Sequence, residues 1–232
     1  MHKTIILLTI FFTVASSSQR VYLIHGFGSN QLSMVRLKQE LSKKGFIVSN
    51  YGYKSISIDL DTLGEALCRE IAAIKEDSVS FITHSMGALV VRSMYNYIVT
   101  SARFPTIHRM VMLAPPNKGA EIADFFASNS IINSLFGPNL QKMKTDSGSY
   151  ANRLPLPRRG ETGVIIGIKR KGFWFNRSID ESTDGYITPQ RAILGIEKDL
   201  ALVNESHALV TFKKNVADLT VRFLEQGSFS GK

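Results

Sequence analysis

An α/β fold, with a mostly parallel central sheet flanked by helices and a helical cap insertion, is the architecture this sequence predicts. Three observations predict it. Short apolar runs rich in β-branched residues recur along the chain, each closed by glycine, proline or small residues. Between them lie stretches whose apolar residues repeat at helical spacing, so strand and helix alternate up to about residue 117. A strongly apolar excursion then breaks the alternation before strands resume near residue 162.

The chain has 232 residues, 44% of them hydrophobic, sufficient for one sizeable core. Met1-His2-Lys3 is a cationic start, Thr4 to Val14 an apolar run and Ala15-Ser16-Ser17 a small-residue close. That is the layout of a secretory signal peptide over residues 1–17, and it implies a secreted or periplasmic protein. The run is shorter than the roughly 20 apolar residues of a membrane span. Its Ile, Thr, Phe and Val content also suits a buried N-terminal strand. Residues 18–226 read as a single domain, and 227–232 as a frayed tail.

Arg20 to His25 reads as a strand buried on both faces, followed by the glycine-rich loop His25-Gly26-Phe27-Gly28-Ser29-Asn30. Met34, Leu37 and Leu41 mark a helix stopped by Gly45. Phe46 to Tyr51 is a second strand. Leu60, Leu63, Leu67, Ile71 and Ile74 form an amphipathic helix with Asp59 or Asp61 near its start. Ser78 to Thr83 is a strand, Met86 to Ile98 a helix, and His108 to Ala114 a strand closed by Pro115-Pro116.

Residues of about 117–160 form the insertion, with Ile122, Phe125, Phe126, Ile131, Ile132, Leu135 and Phe136 on its apolar stretch. It leaves from a strand's carboxyl end, so it lies over any site at that edge. Its apolar face then lines an acyl pocket or forms the insertion's own core. Thr162 to Ile168 returns to the sheet. Lys169 to Arg177, with Phe173-Trp174-Phe175 between cations, is either a lipid-docking loop or a hairpin folded back on the domain. Lys198 to Val203 is the last strand, and Leu209, Phe212, Val216, Leu219 and Phe223 pattern the closing helix.

The net charge is +9, and the excess is spread out along the chain. That favours contact with an anionic membrane surface and gives no reason to expect nucleic-acid binding. Cys68 is the single cysteine, so no intrachain disulfide forms. No His and Cys spacing suits a metal, and nothing specifies an oligomeric state.

The chemistry centres on Ser80 to Val91. An apolar run ends in a turn with Ser85 at its tip, and a helical pattern follows. This is how a nucleophile elbow reads: the turn lifts a hydroxyl off the sheet edge onto a helix N-terminus, where free N–H groups can hold an oxyanion. Gly87 fits the close helix–strand crossing; Thr83 stands where the G-x-S-x-G pattern has glycine.

A serine hydroxyl needs a base, and the base an orienting carboxylate. Of the five histidines, His2 lies in the leader, His25 in the first loop, His84 beside Ser85, and His108 at the amino end of a strand. His207, after the last strand at the carboxyl edge, is the expected base. Asp184, before Gly185 in a tight turn, is the expected acid, with Asp180 in reserve. The backbone N–H groups of Met86 and Phe27 are the expected oxyanion donors. His25, Gly26, Pro115, Phe125 and Phe126 are the expected substrate-binding residues.

Taken together, His25-Gly26-Phe27-Gly28, Thr83-His84-Ser85-Met86-Gly87, Leu113 to Gly119, Asp184-Gly185 and His207 resemble the α/β-hydrolase fold lipases and esterases. The nearest likeness is to small bacterial lipase-like hydrolases of the PGAP1-like and triacylglycerol lipase groups, over roughly Val21 to Leu224. The resemblance implies hydrolysis of carboxylic, lipid or acyl esters through an acyl-enzyme, with no metal or organic cofactor. An acyltransferase or thioesterase would use the same triad, and an inactive hydrolase fold would serve binding alone.

Overall fold

The computed structural model describes residues 19–98, 104–129, 131, 135–172 and 181–231. Its strands are β1 (Arg20–Ile24), β2 (Ile47–Tyr51), β3 (Ser78–His84), β4 (Thr106–Leu113), β5 (Glu161–Gly167), β6 (Arg170–Lys171), β7 (Ser182–Thr183) and β8 (Asp199–Val203). Six of them form one sheet in the order β2-β1-β3-β4-β5-β8, and every pair is parallel. β6 and β7 pair antiparallel as a separate ribbon.

The helices are α1 (Val35–Lys43), α2 (Leu60–Ala72), α3 (Gly87–Met94), α4 (Glu121–Ala127), α5 (Pro138–Lys142), α6 (Tyr150–Arg153), α7 (Pro189–Ala192) and α8 (Lys214–Gln226). One sheet face packs Tyr22, Ile24, Phe81 and Met112 against α2 and α3. The other packs Val21, Leu23, Ile82 and Val111 against α1 and α8. Burial on both faces is why the central strands read as unbroken apolar runs. Asp59 caps α2 by accepting from the Asp61 N–H, and Gly45, at φ +87°, takes the left-handed turn after α1.

The insertion between β4 and β5 carries α4, α5 and α6 and is tied down by polar side chains. Arg92 of α3 is fully buried. It donates to the Asn117 carbonyl at 2.7 Å, the Leu154 carbonyl at 2.7 Å and the Pro155 carbonyl at 3.1 Å, so it holds both ends of the insertion. Asn139 of α5 accepts from the Leu60 N–H and donates to the Ser55 and Ile58 carbonyls. Tyr150 of α6 donates to Asp61 at 2.5 Å.

Two readings from the sequence are corrected. The closing helix is not continuous from Leu209: a 3-10 turn at Val210–Phe212 ends at Lys213, whose extended backbone starts α8. Residues 227–231 are not frayed either. Gly227 closes α8 at φ +71°, Asp199 accepts from the Phe229 N–H at 2.6 Å, and the buried Phe229 ring packs 4.8 Å from Phe223. The expected leader at 1–17, the aromatics of 173–175 and Asp180 lie outside the described residues. No helix among the described residues is long and apolar enough to cross a membrane.

Candidate active site

β3 is buried to its last residue and delivers Ser85 to the carboxyl edge of the sheet. Ser85 takes φ +51°, a left-handed conformation that costs a non-glycine residue about 1–3 kcal/mol. The surroundings hold it there: its N–H donates to the Leu113 carbonyl at the end of β4, and its carbonyl accepts from Ala88. α3 then starts at Gly87, where a Cβ would collide with the Ile24 carbonyl and stand 2.7 Å from that of His25. Only glycine lets the helix cross so close to β1. Ala114 at the end of β4 is also left-handed, at φ +47°, which the sequence did not announce.

His207 and Asp184 arrive from the loops beyond β8 and β7. His207 Nε2 lies 2.9 Å from Ser85 Oγ, and His207 Nδ1 lies 2.7 Å from Asp184 Oδ2. The Asp184 carboxylate is acceptor-only, so Nδ1 carries the proton and Nε2 is free to accept from the serine hydroxyl. Both side chains are buried. Asp184 Oδ1 accepts from the Tyr186 and Ile187 N–H groups at 2.8 and 2.9 Å, and the His207 N–H donates to the Asp184 carbonyl. The three residues expected from the sequence are thus brought into one chain of hydrogen bonds, with the acid and base loops braced to each other.

Two further histidines sit beneath this chain. The buried His84 donates Nε2–H to the His207 carbonyl at 3.0 Å, and burial, with His207 beside it, pulls its pKa down to about 3. His25 donates Nδ1–H to the Gly26 carbonyl, stacks on Tyr53 at 4.1 Å, and is pushed below its ordinary value by burial. A Cβ on Gly26 would stand 3.0 Å from Ser85 Cβ and 3.1 Å from His84 Nδ1, so glycine there permits the close approach of the first loop. Among the described residues, no protein acceptor takes the N–H of Phe27 or Met86.

A cavity of about 440 Å³ opens onto Ser85 and His207. The insertion supplies Ile122, Ala123, Phe126, Phe136, Leu140 and Met143 to its wall. Of the residues expected to bind substrate, Phe126 lines it. The others do not: His25 and Gly26 lie behind Ser85, Pro115 gives way to Pro116, and Phe125 is 44% exposed on the other side of α4. A seven-residue helix turns only one of two adjacent phenylalanines inward. Tyr186, which the sequence reading missed, stacks on His207 at 4.7 Å and lines the cavity; its place just after Asp184-Gly185 was the available signal. Among the described residues, no group of three or more His, Cys, Asp or Glu side chains is gathered to hold a metal ion.

A family model described as Domain of unknown function (DUF7379) matches residues 12–147. No curated protein matches the chain. Solved structures do. The mature lipase BlEst2 of Bacillus licheniformis superposes with a TM-score of 0.68 at 16% identity, over 90% of this chain and 92% of that one. The metagenomic carboxyl esterase MGS0156 gives 0.60 at 17% identity, over 85% of this chain and 67% of that one. Lipase B of Aspergillus fumigatus gives 0.62 at 15% identity, over 90% of this chain and 53% of that one. At these identities the likeness establishes the α/β-hydrolase fold.

Proposed function

The chain belongs to the family described as Domain of unknown function (DUF7379), and from the site it carries we propose that it is a serine hydrolase of carboxylic esters, with acyl or lipid esters as substrates. The observation that carries this reading is the Ser85–His207–Asp184 chain, at 2.9 and 2.7 Å, opening onto a carbon-lined cavity. The His25-Gly26 and Ala114 to Asn117 motifs support a place near the PGAP1-like and triacylglycerol lipase groups.

Ser85 Oγ attacks the acyl carbonyl while His207 Nε2 takes its proton. The oxyanion that forms is received by the Phe27 and Met86 N–H groups, and Asp184 stabilises the imidazolium. His207 returns the proton to the departing alcohol, leaving the acyl group on Ser85. Water then adds with His207 as base, and the acid is released as Ser85 regains its proton. The acyl chain occupies the cavity beneath Phe126, Leu140 and Met143.

Phe136 and Phe212 line the cavity and are partly exposed, and Leu209 stands exposed three residues from Phe212. With the net charge of +9, they support substrate capture at an anionic membrane surface. The cationic start and apolar run of residues 1–17 support export. The test is a fluorophosphonate probe and p-nitrophenyl esters of increasing acyl length, with and without anionic vesicles. Wild type is expected to label and turn over, and Ser85→Ala to lose both. Labelling that survives Ser85→Ala sinks the assignment.

A further inference from the structure

His207 sits on a loop, and its reach to Ser85 depends on what holds that loop's backbone. Its N–H is held by the Asp184 carbonyl at 2.9 Å. Its own carbonyl is held by His84, whose Nε2–H donates across 3.0 Å from a position 123 residues away in sequence. His84 closes β3 and is 7% exposed, and its ring lies 5.1 Å from that of His207. The residue before the nucleophile therefore touches the backbone of the base, whereas the nucleophile itself touches the base's ring.

We infer that His84 is a positioning residue: by gripping the His207 carbonyl it sets where His207 Nε2 meets Ser85 Oγ. This rests on the serine-hydrolase reading above. The residue type suits the task. A hydroxyl or a short amide on β3 would not span the distance an imidazole spans. A lysine or arginine would span it, but would place a permanent positive charge beside the imidazolium that forms during attack. The buried His84 ring stays neutral throughout. Among the described residues its buried Nδ1, facing Gly26, has no hydrogen-bond partner, so the ring's one hydrogen bond there is the one to His207.

The comparison is among wild type, Ser85→Ala, His84→Gln and His84→Phe, assayed as full chains on a p-nitrophenyl ester. Glutamine keeps an N–H donor near the place of Nε2; phenylalanine keeps the ring shape and removes the donor. His84→Phe is expected to lower kcat by up to about 100-fold with KM little changed, the scale of an ångström's misplacement. His84→Gln is expected to recover most of kcat. The far-downfield proton resonance of His207 Nδ1–H on Asp184 should persist in the glutamine variant and broaden in the phenylalanine one. If His84→Phe does not fold, His84→Asn, too short to reach the carbonyl, takes its place. Wild-type kcat in the donor-less variant, equal losses in both variants, or a loss wholly in KM overturns the inference while the serine-hydrolase reading stands. A wild type that neither turns over ester nor labels at Ser85 overturns both.

Discussion

On one side of the cavity Ser85, His207 and Asp184 stand in a chain of hydrogen bonds, whereas on the other Ile122, Ala123, Phe126, Leu140 and Met143 meet it with carbon. The sheet edge is built of backbone cross-braces: Ser85 to Leu113, His207 to Asp184, and Asp184 to Tyr186 and Ile187. Among the described residues the cap has short helices of seven, five and four residues, and its polar ties through Arg92, Asn139 and Asp61 involve none of the residues that line the cavity. The first arrangement tolerates little displacement, because proton transfer needs heavy atoms about 2.6–3.2 Å apart. The second tolerates exchange of one apolar shape for another. On the proposed function, reactivity is lodged in the edge and substrate preference in the cap, and the two can be changed separately.

The largest expected effect breaks the edge alone. Asp184→Asn keeps the shape but replaces the acceptor that sets the His207 tautomer. It should lower kcat by about 10⁴-fold for every ester, with acyl-length preference intact. A loss confined to long-chain esters would contradict the division between edge and cap. The matching change in the cap is Ala123→Phe, which fills the wall of the cavity from a residue 1% exposed. Long-chain esters should lose roughly 10-fold or more in kcat/KM while acetate esters change little. Equal losses at all lengths would show that α4 also shapes the reacting centre.

The same contrast explains what could be read from sequence. The central strands were legible because burial on both faces leaves unbroken apolar runs, and the elbow because a lone serine between β3 and a glycine-marked helix has few other uses. The meeting of His207 and Asp184 with Ser85 was legible by position, since the loops after the strands of a parallel sheet gather at one edge. The cap was legible only as an apolar excursion. Its helices are too short to show a period, and they stay in place through partners far away in sequence: Asn139 to Ser55, Arg92 to Leu154, Tyr150 to Asp61. Phe125 and Phe126 are alike in sequence and differ in orientation. The docking of Phe229 depends on Asp199 and Phe223, which no local pattern announces.

Acid should separate the two regions by a smaller margin. His84 and His25 lie at the sheet edge, and burial holds both below the ordinary histidine value, His84 at about 3. The insertion has no histidine, and its anchor Asp61 is held below the ordinary carboxylate value by the Tyr150 hydroxyl and then by that of Tyr97. The signs differ in pH window. Below about pH 6.5 the unfolded chain binds protons at the two histidines that the folded chain refuses, so stability is full above that pH and falls beneath it. Asp61 contributes wherever the unfolded carboxylate is ionised, and its share is lost only below about pH 4. Between pH 6 and pH 5 the loss therefore comes from histidines and not from Asp61: about 1 kcal/mol from His84, with His25 and, at the amino end of β4, His108 adding in the same direction. Urea unfolding at pH 7, 6 and 5 should show that fall, and His84→Gln should lose one histidine's share of it. A wild type equally stable from pH 7 to pH 5 would mean that these rings accept protons in the folded edge, and that the edge is less closed to water than the cap that covers it.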